Sequence, residues 1–64
     1  MKKVFIIKNL INDDYLCIND KDIYFRKSIL SSYKFDSINE IEIFTKLKYV
    51  SLKNMYLSII TLYI

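Results

Sequence analysis

The chain has 64 residues, of which 53% are hydrophobic and 27% are charged, so one domain with one core is expected and the composition argues against a disordered chain. Its formal net charge of +3 comes from lysines spread along the chain, which favours a mildly basic surface over a dense nucleic-acid-binding stripe. Histidine and glycine are absent and Cys17 is the single cysteine, which excludes imidazole chemistry, glycine-rich phosphate loops and an intrachain thiolate zinc site.

The first predicted strand runs from about Lys3 to Leu10. Val4 and Ile6 lie on one face of this strand, and Phe5 and Ile7 lie on the other. Apolar residues on both faces are typical of a strand in the middle of a sheet. The pattern therefore predicts a central strand.

Two further strands are predicted, at Tyr15–Ile18 and Ile23–Lys27, and the second of them is open to extension through Ser28–Leu30. Asn and Asp residues occupy both connections, Asn12–Asp14 and Asn19–Asp22. These residue types tolerate positive φ best among non-glycine residues, so in a glycine-free chain they are expected at the tight turns. The three strands therefore predict an antiparallel meander.

The segment Ser37–Glu40 matches a capping box, in which the serine hydroxyl accepts from the glutamate amide at the start of a helix. Apolar residues follow at helical spacing: Ile38, Ile41, Phe44 and Leu47. This stripe predicts one amphipathic helix over about Ile38–Lys48 that packs the stripe on the core. Glu40–Ile43 also alternates like a strand, but the capping box and the longer stripe favour a helix.

Tyr49–Leu52 is open to two interpretations, an extended segment or a continuation of the helix. Met55–Ile64 has apolar residues on both faces and is predicted to be a buried last strand beside the first one. It is too short to cross a bilayer, and no membrane association is expected. Residues 1–64 are therefore predicted to form a single α+β domain with the order β-β-β-α-β.

The side chains with metal-binding or nucleophilic potential have simpler structural roles. Four carboxylates lie in the two predicted turns: Asp13, Asp14, Asp20 and Asp22. A meander places these turns at opposite ends of the second strand, so turn formation is favoured over a shared metal. Cys17 lies between Leu16 and Ile18 and is interpreted as a small hydrophobe. We therefore predict no catalytic residue, no metal site and no cofactor, and a protein that is not an enzyme.

The chain has six tyrosines, more than so small a core can bury with their hydroxyl groups paired, so several are expected at the surface. Tyr24 and Arg26 share the solvent face of the third predicted strand, which Lys27 ends. Tyr33 and Lys34 follow in the segment that leads to the helix. Surface tyrosine beside arginine is typical of protein interfaces, and these five residues form the predicted partner-binding patch. The alternative is an ordinary half-exposed strand that uses tyrosine for cross-strand packing.

Three segments resemble the strand, strand and helix-start pattern of very short accessory proteins from phages and prophages of low-GC bacteria: Phe5–Asn9, Tyr15–Leu16 and Phe35–Glu40. The absence of alanine, glycine and proline agrees with an AT-rich genome. The best-known functional class among such proteins is inhibitors of host defence, including anti-CRISPR proteins. The resemblance implies a stoichiometric blocker of a host effector and assigns no particular residue.

The leading hypothesis is a phage-encoded inhibitor that binds a host protein, such as a CRISPR effector or another defence nuclease, and blocks it sterically without turnover. A lone cysteine and the lack of a recognisable export signal predict the bacterial cytoplasm. Two alternatives stay open. One is a small nucleic-acid-binding protein. The other is a self-associating accessory protein, in which the exposed edge of the meander or the apolar C-terminal strand pairs with a second copy.

Overall fold

The computed structural model describes residues 1–20 and 22–64, which form an α+β domain in the order β-β-β-α-β. The elements are β1 (Lys3–Asn9), β2 (Asp14–Asn19), β3 (Asp22–Arg26), a 3₁₀ turn (Ile29–Ser31), α1 (Ile38–Leu47), α2 (Tyr49–Leu52) and β4 (Leu57–Tyr63). The predicted fold class and element order are confirmed. The proposed extension of the third strand is wrong, because the chain leaves the sheet after Arg26 and turns at Ile29–Ser31.

The four strands form one antiparallel sheet in the order β3-β2-β1-β4. The predicted meander, the central position of β1 and the place of the last strand beside the first are all confirmed. The predicted burial of the last strand is wrong. β4 lies at the edge of the sheet and pairs with β1 on one side, and Ile59 and Tyr63 on it are 45% and 62% exposed.

Aspartates supply the positive backbone angles of both tight turns. Asp13, at the end of the β1–β2 connection, has a φ of 57°, and Asp20, directly after β2, has a φ of 54°. The expectation that Asn or Asp would take such positions in a glycine-free chain is confirmed. Lys21, the next residue of the predicted second turn, lies outside the described residues.

Ser37 begins the helix, as predicted. Its Oγ accepts a hydrogen bond from the Glu40 backbone N–H at 3.2 Å, which is the serine half of a capping box. The helix ends at Leu47 and α2 follows after Lys48, so Tyr49–Leu52 continues the helical segment and is not extended. Of the helices in the part of the chain that the structure describes, none has the length and apolar content of a bilayer-crossing helix.

The core lies between the sheet and the helices. It is a cluster of buried side chains from two strands, the inserted segment before α1 and both helices: Ile7, Leu16, Phe35, Ile41 and Leu52. The predicted helix stripe is only partly correct, since Ile41 is buried and Phe44 half-buried, whereas Ile38 and Leu47 are 40% and 78% exposed. Leu52 of α2 fills a core position instead of Leu47, because the chain changes direction at Lys48.

The segment from residue 33 to residue 35 lies between β1 and β2. Phe5 and Phe35 exchange two backbone hydrogen bonds of 2.9 and 2.8 Å, and Tyr33 donates its N–H to the Leu16 carbonyl at 3.0 Å. The direct ladder between the two strands is short, with Lys8 opposite Tyr15 and Asn9 opposite Asp14. The strands therefore separate beyond this ladder, and the inserted segment satisfies backbone groups on both of them.

The sheet face turned away from the helices is also buried in its middle. Val4, Ile6 and Cys17 are nearly inaccessible to water, and the 3₁₀ turn contacts β2. Ser32, also buried, donates its hydroxyl to the Ile29 carbonyl at 2.5 Å. The burial of Cys17 agrees with its interpretation as a small hydrophobe.

Candidate functional site

A row of cationic and aromatic side chains crosses three strands. Lys8 on β1 is opposite Tyr15 on β2, and Tyr15 is opposite Arg26 on β3. Opposed residues in antiparallel strands project from the same face. Tyr24 lies two residues before Arg26 and shares that face. We call these four residues, Lys8, Tyr15, Tyr24 and Arg26, the sheet patch.

Each cation of the sheet patch lies over a tyrosine ring. Lys8 Nζ is 5.7 Å from the centroid of the Tyr15 ring, and the guanidinium carbon of Arg26 is 5.3 Å from that of Tyr24. Both distances are within the range of cation–π attraction. Arg26 is exposed and Tyr24 is 37% exposed, so part of this surface faces water.

An acidic turn residue balances one of the two charges. Lys8 Nζ forms a salt bridge of 2.7 Å with the Asp13 carboxylate. The hydrogen bond that Lys8 donates to the Asp13 carboxylate, followed by the negative charge of that carboxylate, raises the pKa of Lys8. The same contact lowers the pKa of Asp13. Both groups are charged at neutral pH, so Asp13 offsets the Lys8 charge and Arg26 carries the remaining positive charge of the sheet patch.

The other two predicted basic residues hold loops in place. Lys34 Nζ donates to the carbonyls of Leu30 and Ser32 at 3.0 and 2.9 Å, which joins the 3₁₀ turn to the inserted segment. Lys27 Nζ donates to the Asn12 carbonyl and connects the end of β3 to the β1–β2 turn. The Lys27 ammonium thus lies at the β1–β2 turn, where its charge contributes to the lowered pKa of Asp13.

Tyr33 lies on the helix-bearing side of the sheet. Its ring meets that of Phe35 edge-on, with centroids 4.8 Å apart. It lines a groove of about 230 Å³ between the sheet and α1, here called the helix groove, with Ile18, Phe35, Glu40, Ile43, Phe44 and Leu47. Of the five residues predicted to bind a partner, the structure therefore brings Tyr24 and Arg26 together and places the other three elsewhere.

Sequence reasoning missed Lys8 and Tyr15. The length of the second turn could have indicated both residues, because it sets the register between β2 and β3. With Asn19 opposite Asp22, Tyr15 lies opposite Arg26. The first turn adds Lys8 to the row in the same way. Turn length sets register, and register decides which side chains share a face.

The four turn aspartates stand at the two ends of β2, as predicted: Asp13 and Asp14 at its start, Asp20 and Asp22 beyond its end. Within residues 1–20 and 22–64, no three side chains of metal-ligand type come together. No protein-family model, curated protein or solved structure matches the chain. The candidate site is therefore described by its own groups, which are two cations and two phenol rings that offer positive charge, hydrogen-bonding groups and ring faces.

Proposed function

We propose that this protein is a non-catalytic binding protein whose sheet patch contacts another protein and covers a functional surface of it. The observation that carries this proposal is the row of Lys8, Tyr15 and Arg26 across three strands, with Tyr24 beneath the Arg26 guanidinium. Tyrosine and arginine are the residue types most enriched at the energetic centres of protein interfaces.

The strand setting supports a binding role. The four side chains of the sheet patch project from paired strands, and the two cations are already held over rings. Side chains that are ordered before binding lose little rotamer freedom when a partner docks. Contacts of the cations with the rings before binding therefore favour affinity.

The charge of the chain and its resemblance to phage accessory proteins suggest the class of target. A net charge of +3 and an exposed arginine complement an acidic or mixed protein surface. The resemblance points to a host defence effector, such as a CRISPR effector or another defence nuclease, in the bacterial cytoplasm. In this proposal the protein is an anti-CRISPR-like inhibitor that blocks its target one-to-one.

A titration against purified defence nucleases tests the mode of action. The full chain is added to a fixed concentration of each nuclease and residual cleavage is measured. A stoichiometric blocker is expected to abolish activity of its target with an end point near one molar equivalent. Loss of activity at far below one equivalent would reveal turnover and contradict steric blocking.

Two double variants test the surface. Tyr24→Ala with Arg26→Ala is expected to weaken binding about 30-fold or more, since hot-spot truncations cost about 2 kcal/mol or more. The matched control, Lys53→Ala with Tyr56→Ala, removes an exposed lysine and a 67% exposed tyrosine outside the sheet patch and is expected to bind normally. Equal affinity of both double variants, with folding verified by circular dichroism, would show that the sheet patch is not the binding surface.

A second candidate partner is single-stranded nucleic acid, which the alternation of cations with aromatic rings favours. Bases stack on tyrosine and phosphates contact arginine or lysine, and such binding weakens steeply as salt is raised. Measuring oligonucleotide binding at several salt concentrations separates the two candidates. Tight, salt-sensitive binding that requires Arg26, without inhibition of any nuclease protein, would establish the nucleic-acid reading instead.

A further inference from the structure

The hydrogen bonding between β1 and β4 defines which backbone groups of β4 point outward. Lys2 and Ile64 exchange backbone hydrogen bonds of 2.6 and 2.7 Å, and Leu10 donates to the Tyr56 carbonyl at 2.8 Å. The register between the strands is constant along their length. Because bonded and non-bonded pairs alternate in antiparallel sheets, the even-numbered residues of β4 bond to β1. The odd-numbered residues therefore direct N–H and C=O away from the sheet.

The outward-directed residues are Leu57, Ile59, Thr61 and Tyr63. β4 is the last strand of the sheet, and within residues 1–20 and 22–64 no backbone hydrogen bond reaches its outer side. Thr61 is exposed, and Ile59 and Tyr63 are 45% and 62% exposed. The outer side of β4 thus combines free hydrogen-bonding groups with exposed apolar side chains.

The two edges of the sheet differ in charge. β3, at one edge, carries Asp22 and Arg26, and charges on an edge strand oppose pairing with another chain. The stretch Met55–Ile64, which contains β4, has no charged residue, no proline and no glycine. Charged side chains, one of the features by which proteins block an open edge, are therefore present on β3 and absent from β4.

We propose that β4 pairs antiparallel with β4 of a second copy of the chain. A register centred on Ile60 places Ile59 opposite Thr61 and Leu57 opposite Tyr63, so that outward-directed residues face one another. The four opposed pairs form about eight backbone hydrogen bonds, two for each pair. Their side chains are β-branched, aliphatic or aromatic, which are favourable cross-strand neighbours. The two four-stranded sheets then continue as one.

Self-complementarity identifies the second copy as the occupant. A two-fold axis at Ile60 uses the same residues on both sides, which is the isologous arrangement of most dimers. Like charges directly opposite each other destabilise a strand pair, and this strand has no charged residue. The axis stands perpendicular to the sheet, so both sheet patches lie on the same side of the dimer. Pairing through β4 does not depend on what the sheet patch binds.

Sedimentation velocity of the full chain over a range of concentrations, combined with amide hydrogen exchange, tests the pairing. We expect a monomer–dimer equilibrium in which the Ile59 and Thr61 amides become protected as the dimer forms. The Ile60 and Leu62 amides bond to β1 and should be protected at every concentration. A chain that stays monomeric at all concentrations, or a dimer whose Ile59 and Thr61 amides exchange freely, would overturn the proposal.

Matched lysine substitutions locate the interface. Ile59→Lys on β4 is expected to weaken dimerisation at least tenfold, whereas Ile43→Lys, at a 52% exposed position on α1, should leave it unchanged. Thr61→Pro is a second test should Ile59→Lys fail to fold, because it removes an outward N–H without breaking a bond to β1. Unchanged dimerisation of a folded edge variant would place the interface elsewhere and overturn the proposal.

Discussion

Single side chains set the backbone geometry at the turns of this glycine-free chain. Asp13 and Asp20 hold φ at 57° and 54°, angles at which most residues with a Cβ atom are strained. Asp13 has a second role, because its carboxylate pairs with Lys8 on the sheet patch. One aspartate thus shapes a turn and adjusts the charge of the candidate binding surface.

Replacement of Asp20 tests the turn geometry. Asp20→Ala is expected to lower the free energy of unfolding by about 1 kcal/mol, because alanine is strained at positive φ. Asp20→Gly should stay within about 0.5 kcal/mol of the parent chain, since glycine accepts this angle. Urea denaturation measures both values. Equal stabilities of the alanine and glycine variants would show that the angle is not held in solution.

The Lys8–Asp13 salt bridge is expected to depend on pH at both ends of the pH range. The lowered pKa of Asp13 means that its stabilising contact is fully present above 3.8 and is lost as pH falls through the folded-state pKa. The raised pKa of Lys8 means that the contact persists below 10.5 and is lost as pH rises through the folded-state value. Nuclear magnetic resonance of the Asp13 carboxyl group should therefore give a midpoint below 3.8.

Removal of the partner charge provides the control for this titration. In Lys8→Met the Asp13 midpoint is expected to return toward 3.8, while Lys46→Met on α1 should leave it low. The same midpoint in the parent chain and in Lys8→Met would mean that the salt bridge does not form in solution.

At the scale of elements, the segment between the 3₁₀ turn and α1 connects the two central strands of the sheet. It enters the gap between β1 and β2 and bonds to both through Phe35 and Tyr33, while Lys34 ties it to the turn. The Phe35 side chain also joins the core cluster and contacts the ring of Phe44, with centroids 5.4 Å apart. The two central strands therefore depend on this segment for hydrogen bonding and for packing.

Substitutions of Phe35 test whether the two central strands depend on the inserted segment. Phe35→Ala is expected to cost about 3 to 5 kcal/mol, a loss that a domain of this size does not tolerate well. Phe35→Leu keeps most of the volume and should remain folded with a loss of about 1 to 2 kcal/mol. Tyr56→Ala, at a 67% exposed aromatic residue, serves as the control. Denaturation curves showing equal losses for Phe35→Ala and Tyr56→Ala would contradict the role of the inserted segment.

At the scale of the whole molecule, the two proposed interaction surfaces lie on different parts of the sheet. The sheet patch lies on the face of the sheet turned away from the helices. The uncharged strand β4 forms one edge of the sheet, and β3 forms the other edge. A partner on the patch and a second copy on β4 would therefore occupy different parts of one small sheet. The nuclease titration and the sedimentation experiment examine these two surfaces separately.

Local rules were sufficient to predict much of the architecture from sequence. The meander follows from alternating apolar runs broken by Asx turns, and the start of α1 follows from Ser37 and Glu40. Tyr24 and Arg26 were placed on a common face because strand alternation needs no partner. The α+β class and the β-β-β-α-β order were likewise predictable because each element has its own local signal.

The tertiary structure decided what depends on contacts between distant residues. It made β4 an edge strand, exposed Leu47 and inserted Phe35 between two strands, none of which has a local signature. It also separated Tyr33 and Lys34 from the sheet patch and joined Lys8 and Tyr15 to it. The sequence by itself determined which segments form strands and helices, since hydrogen bonding and side-chain periodicity act locally. The surfaces came from packing, because register and insertion are settled only when distant segments meet.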